Sequence, residues 1–330
     1  MGFSSDMRAA AAFMSSHDYL KSQLPYIPGT WYFIDGDDGS DLSGRNGQDP
    51  DAPLASLSAA YGKCTSGSGD GICFFSRSTS SGSNSIAMTA ALTWAKYGIT
   101  VVGISAPTSF FGRARLYADA TADLASLITV TGQNNRFINL TISQEGVAST
   151  AIRNVIITGA GNTWEGCHLN LSHATPALTT DASVLDLRGS ENVFRGCTFG
   201  SNSTTWAADD NGQITFSTTQ GGQNLFDGCR IYSKSSTAGH NAVYFAMTGA
   251  MGGWTTFSDC QFVNFAATGG ALTALTSVFG GEAQTKCGIL VHNCSEVGWA
   301  AWSVLASKVY VACSGETAAG AGGIATAPAA

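Results

Sequence analysis

The sequence predicts an all-β solenoid, a chain wound into stacked turns, and three observations carry that prediction. The first is a recurring six-residue motif: WEGCHL (164–169), FRGCTF (194–199), FDGCRI (226–231) and FSDCQF (257–262), with FINLTI (137–142) as an earlier copy and VHNCSE (291–296) as a degenerate later one. Aligned on Leu140, Cys167, Cys197, Cys229, Cys260 and Cys294, the intervals are 27, 30, 32, 31 and 34 residues. A near-constant period of this length is the mark of repeats that bury their apolar faces on one another. The second is alternation within each copy, as in Cys197-Thr198-Phe199, which is strand periodicity and turns Cys197 and Phe199 inward. The third is composition: 40 glycines in 330 residues, only 12% charged residues and few long runs free of Gly and Pro disfavour a helical bundle or a doubly wound α/β fold.

Taken in order, residues 1–30 read as an N-terminal arm. A helix is expected over 5–22, capped by Ser5 or Asp6, with Met7, Ala11 and Met14 on one side. The apolar run AAAAFM is too short for a signal-peptide core, so the protein is expected to be made in a cytoplasm. No stretch approaches the ~20 apolar residues of a membrane span. Residues 31–103 form an entrance region, with the acidic loop FIDGDDGSDLSGRNGQDPDAP (33–53), a short helix after Pro53, and strand-like runs at 69–75 and 96–103. A second strand-like run precedes each motif copy: 126–132, 154–159, 183–189, 213–217, 242–247 and 275–280. The solenoid spans 31–313 in about six or seven rungs, and 314–330 is a low-complexity Gly/Ala-rich tail.

Four of the copies have Asn two places before the aromatic: Asn135, Asn162, Asn192 and Asn224. Asn suits a turn and can hydrogen-bond to the same residue above and below, so a stacked column is expected. The cysteines Cys167, Cys197, Cys229, Cys260 and Cys294 form a second column, read as core packing rather than a metal or redox ladder. Pairing of Cys64 with Cys73, or of Cys287 with Cys294 or Cys313, is open in an oxidising medium.

These repeats resemble the right-handed parallel β-helix of the pectate-lyase-like superfamily, in which rungs of Asn-Cys-x-Phe type recur, over about residues 31–313. The stretch WYFIDGDDGSDLSGRNGQDPDAPLASLSAA resembles the usual start of that family. The resemblance implies a single right-handed parallel β-helix; it leaves function open, because enzymes, adhesins and bacteriophage spikes share this scaffold.

Hydrolysis on such a scaffold needs carboxylates roughly 5–9.5 Å apart, and the body of the solenoid is poor in acids. The candidates are Asp181 with Asp186, and Asp209 with Asp210. Glu165, Arg195 and Asp227 share one repeat position and are expected to form an ion-pair column. In the acidic loop, Asp35, Asp37 and Asp41 have alternate spacing compatible with calcium. However, Gly39 stands where an EF-hand type of loop places an oxygen ligand, so turns are the expected role. No other cofactor is implied. The histidines are expected on the surface or in turns. Of the tryptophans, Trp94, Trp206 and Trp254 are open as sugar platforms or contacts, whereas Trp299 and Trp302, near the last rung, are expected to form an interface.

The net charge of −7 lies mostly in the acidic loop, where six aspartates less Arg45 contribute −5, so no basic patch for nucleic acid is expected. The favoured function, by analogy with phage spikes, is a non-enzymatic structural protein of a bacteriophage virion. It would be a capsid-surface decoration or spike-like appendage, trimeric and bound to capsid or tail proteins. The alternative is a polysaccharide-binding or polysaccharide-degrading β-helix that engages cell-surface glycan.

Overall fold

The computed structural model describes residues 24–75, 85–104, 114–172, 177, 179–218, 222–235, 237, 239–249, 252–265, 275–284, 288–305 and 308–313. The helix expected over 5–22, the tail over 314–330 and Cys287 lie outside the described residues.

The chain winds through three parallel sheets in a fixed order. Among the described residues the first sheet has ten strands, from Trp31–Asp35 and Gly71–Phe75 to Ile289–His292 and Val309–Ala312. The second has eight, from Ser85–Met88 to Ser295–Val297, and the third has seven, from Leu92–Trp94 to Phe279–Gly281. This is an all-β parallel solenoid of about six turns. The repeat motif is not one strand but two joined at a corner. In WEGCHL, Thr163–Glu165 belongs to the first sheet and His168–Leu171 to the second.

The corner explains the residue before each cysteine. Gly166, Gly196 and Gly228 have φ of 59°, 58° and 60°, and the equivalent Asn139, Asp259 and Asn293 have 52°, 55° and 50°. That left-handed conformation is open to Gly at no steric cost and is tolerated by Asn and Asp. Turning there lets the cysteine and the next apolar residue re-enter the core from a new direction.

Register is then set by like residues stacked on like. Phe137, Trp164, Phe194, Phe226 and Phe257 pair in order across the first sheet. Their rings stack with centroids 4.0, 6.3, 4.6 and 4.5 Å apart. Each ring is buried, which contributes about 1.5–3 kcal/mol by transfer from water. A one-residue slip would turn the whole set outward.

The asparagine column sits at the corner between the third and first sheets. Oδ1 of Asn162 accepts from the Asn135 backbone N–H and Nδ2, both at 3.0 Å. Asn192 receives the same pair from Asn162 at 3.0 and 3.1 Å, and Asn224 from Asn192 at 2.9 and 3.3 Å. The Nδ2 groups of Asn162, Asn192 and Asn224 also donate to the carbonyls of Gly132, Gly159 and Gly189. All four side chains are buried, so the column supplies partners that water does not.

The entrance region is part of the ladder. Its strands Trp31–Asp35, Gly71–Phe75 and Thr100–Ile104 begin the first sheet, and helix α1 (Leu57–Lys63) follows Pro53. Ser56 caps the helix by accepting from the Ala59 amide at 3.1 Å. Leu57 and Ala60 join the main core, which covers the first strand. Lys96 ties the other end of α1 to the rungs by donating to the carbonyls of Tyr61 and Cys64 at 2.5 and 2.6 Å.

Asn192→Ala removes the acceptor for two groups of Asn162 and leaves buried donors unpaired, so a loss of about 2–4 kcal/mol is expected at roughly 1–3 kcal/mol per unsatisfied group. Equilibrium denaturation measures it, and Asn at corner position 196 (Gly196→Asn) is the control expected to leave stability nearly unchanged.

Candidate functional site

The candidate carboxylates do not meet as pairs. Asp186 lies on the strand Ser183–Leu187 of the third sheet, between core residues Leu185 and Leu187, so its side chain stands on the outer face. It is nevertheless 0% exposed. Arg188 Nη2 and Nε donate to its Oδ2 at 2.6 and 3.1 Å, Arg153 Nε lies 2.9 Å from the same oxygen, and Ser217 Oγ donates to Oδ1 at 2.6 Å. Asp186 is therefore an acceptor with both oxygens occupied.

Asp181 and Asp210 are exposed turn residues with φ of 62° and 54°, and the Asp181 amide donates to the Asp210 carbonyl at 3.0 Å. Both carboxylates lie near the neutral hydroxyl of Tyr244, two strands from Asp186 in the same outward column. Burial first, then the Asp210 and Asp181 carboxylates, push the Tyr244 hydroxyl up from its usual range. Asp209 accepts from the Gly239 amide at 3.0 Å. The expected couples thus regroup: Asp186 goes to the arginines, Asp181 and Asp210 to one turn, and Asp209 to a backbone amide. Arg153 and Arg188 were missed in the sequence because the D-x-R spacing of Asp186 and Arg188 is common, and Arg153 comes from the previous rung.

The acidic loop is built of turns. Asp35 is buried and its Oδ1 accepts from the Asp37 and Asp38 amides at 3.0 and 3.4 Å. Asp41 accepts from Ala55 and Ser56 at 2.8 and 3.3 Å, and Asp49 from Asp51 at 2.8 Å. Asp35, Asp37 and Asp41 share no common centre, and among the described residues no three His, Cys, Asp or Glu side chains converge as a metal site.

The cysteine column is core. Cys167, Cys197, Cys229, Cys260 and Cys294 are buried, and each thiol donates to the carbonyl of the aromatic one rung earlier at 3.4–3.5 Å. Cys313 extends the column by a member. Cys64 and Cys73 are both free, which corrects the disulfide expected as an option. Cys64 packs in the main core, while Cys73 points to the opposite face of the first sheet with Phe33 and Phe75. Cys294 and Cys313 are free as well. Burial pushes Cys73 up to about 12 and Cys197 well above the ordinary thiol range.

Two further expectations are corrected. Trp299 is wholly buried, so it forms no exposed interface as the sequence suggested, whereas Trp302 is half-buried against Phe262 with centroids 5.8 Å apart. Near the last rungs the third sheet is reduced to short bridges, and the indoles fill the core there. The exposed tryptophan is Trp254, 51% accessible, with Tyr310 at 5.3 Å and Leu290 beside it on the outer face of the first sheet. The ion-pair column resolves into two exposed pairs, Arg136–Glu165 at 2.9 Å and Arg195–Asp227 at 3.7 Å, each of small energetic weight.

His240 is also buried rather than superficial. Its Nδ1 lies 2.6 Å from Asn211 Oδ1 and its Nε2 2.9 Å from Ser233 Oγ. Ring distances of 5.3 Å to Trp206 and 6.3 Å to Trp299 place it between two indoles. The Ser-His-Asn order is that of a hydrolytic triad, but all three side chains are sealed in the core. With Asn211 accepting from Nδ1–H and Ser233 donating to Nε2, the imidazole is neutral, and burial pushes His240 down to about 3.

No protein-family model matches the sequence, and no curated protein matches it. Among solved structures the fold is similar to that of pectate lyase Pel9A, with a TM-score of 0.54 and 15% identity over 83% of this chain; the match spans 64% of the lyase, less than two thirds of its length. It is also similar to a pectin methylesterase from Aspergillus niger, with a TM-score of 0.54 and 13% identity over 87% of this chain and 86% of that one. At these identities the likeness is one of fold: the chain shares the parallel β-helix of these polysaccharide enzymes.

Two outcomes follow from the buried groups. Alkylation of the native protein is expected to leave Cys167, Cys197, Cys229 and Cys260 unmodified, and alkylation in denaturant to label all four, as read by peptide mass spectrometry. For His240, the folded value of about 3 lies below the ordinary 6.5, so the unfolded chain binds the proton first and stability falls as pH drops through 6.5 towards 3. Between pH 7 and 5 this costs about 2 kcal/mol, and His240→Gln should remove that slope in paired denaturation curves.

Proposed function

We propose that the chain is a non-enzymatic structural protein of a bacteriophage particle, a capsid-surface decoration or spike-like appendage. In this reading it works as a homotrimer held to capsid or tail proteins. The observation that carries the reading is the use made of the polar groups. The asparagine, cysteine and aromatic columns stack rung on rung, and Asp186, Asp209 and the acidic-loop aspartates Asp35 and Asp41 accept hydrogen bonds that hold the fold. Such a rod is stiff because each rung satisfies the backbone of the next. Attachment falls to the exposed Trp254 and Leu290, with the half-buried Tyr310 beside them, in place of the buried Trp299. The step from rod to virion rests on analogy with phage spikes.

A second reading, a polysaccharide-binding β-helix, is favoured by the same ring pair and by the fold shared with pectin-acting enzymes. Trp254→Ala separates the two. Under the first reading the wild-type protein is a trimer by light scattering and the variant dissociates. Under the second the variant keeps its oligomeric state and loses glycan binding. A monomeric wild-type protein, together with particles that keep their composition and stability without it, would overturn the virion role.

A further inference from the structure

The dipeptide Asn-Gly occurs twice in the chain, each time followed by Gln: Asn46-Gly47-Gln48 in the acidic loop and Asn211-Gly212-Gln213 in the third sheet. The side-chain amide of asparagine is an electrophile, and the backbone nitrogen of the next residue is the nucleophile that the chain itself holds within reach. Glycine in that place has no Cβ to hinder the approach. The local sequence therefore gives both sites the same intrinsic chemistry, and the fold decides between them.

At the first site the reactants are available. Asn46 is exposed, and among the described residues the Gly47 N–H has no acceptor. The Gln48 N–H donates to Asn46 Oδ1 at 3.0 Å, which folds the side chain back over its own backbone. Attack at Cγ places negative charge on that same oxygen, and a donor already aimed there lowers the barrier. The turn is also anchored on both flanks. The Arg45 N–H donates to the Leu42 carbonyl at 3.2 Å, and the Gly47 carbonyl accepts from the Phe33 N–H at 2.7 Å.

At the second site they are withheld. The Asn211 side chain is wholly buried, with its Oδ1 2.6 Å from His240 Nδ1. The Gly212 N–H donates to the Ala182 carbonyl at 3.4 Å, and the strand Asn211–Phe216 is paired on both sides. A donor to the oxygen is present here too, but the nucleophile is engaged in the ladder and water is excluded.

We propose that Asn46 is a modification site that deamidates spontaneously in the folded protein, while Asn211 persists. The Gly47 nitrogen gives its proton to solvent base and bonds to Asn46 Cγ. The Cγ–Nδ2 bond then breaks, ammonia leaves, and water opens the resulting succinimide at either carbonyl to give aspartate or isoaspartate. Six aspartates less Arg45 give the loop −5, and a seventh carboxylate makes it −6. Isoaspartate also lengthens the main chain between the Leu42–Arg45 turn and the carbonyl that holds Phe33, at the edge of the first strand. The conversion needs only water, so its failure leaves the proposed structural role intact.

The full-length protein, incubated native and denatured in mildly alkaline buffer, tests this by peptide mass spectrometry across both sites and by methylation with an isoaspartyl methyltransferase. In the native protein Asn46 is expected to convert at least about tenfold faster than Asn211, a difference of ~1.4 kcal/mol in barrier. It should also convert no more slowly than in the denatured chain, where the two sites should react at similar rates. Asn46→Gln, whose longer side chain must close a larger ring, should abolish conversion at that position and leave native Asn211 intact. A native Asn46 that outlasts the same residue in the denatured chain, or a native Asn211 that converts as fast as Asn46, would overturn the proposal.

Discussion

Everything in this protein depends on parallel, in-register stacking of one rung on the next. A parallel ladder satisfies backbone donors and acceptors only through the neighbouring rungs, so register is the property that must be protected. Three kinds of side chain protect it here. The asparagine column does so by directional hydrogen bonds, since Asn192 can accept from Asn162 only when the two corners coincide. The rings from Phe137 to Phe257 do so by shape, and the thiols by filling the small space beside each corner.

The corners connect this register to the surface. A left-handed residue before each cysteine turns the chain so that the first and second sheets meet at a sharp edge, and the residues between the core positions are displayed in straight columns. Those columns place chemistry. Glu165, Arg195 and Asp227 fall in one column of the first sheet, and Asp186 and Tyr244 in one column of the third. Side chains far apart in sequence, such as Arg153 and Asp186, become neighbours because a rung is about one turn of chain.

Polar burial has a consistent logic. Asp186, His240 and the four asparagines are all inaccessible, and each is matched with partners. Asp186 is the case in which charge does not balance locally, and so the outer face of the third sheet differs from the neutral, hydrogen-bonded interior. The buried histidine shows the opposite solution, in which the proton is given up and the group stays neutral between two indoles.

The solenoid and the two inward columns were legible in the amino-acid sequence, because stacking demands that the same residue type recur at the same place: cysteine beside the corner, an aromatic three residues earlier, asparagine two before that. The corner itself was hidden, since FRGCTF reads as one strand until the φ of Gly196 divides it. Burial of individual large residues was not legible either. Trp299 and Trp254 look alike in sequence, and only the arrangement of the last rungs sends one into the core and leaves the other exposed. The same holds for charge: the sequence by itself determined a period and a core, while tertiary structure decided that Asp186 meets two arginines, because neighbours across rungs are set by the length of each turn and not by distance along the chain.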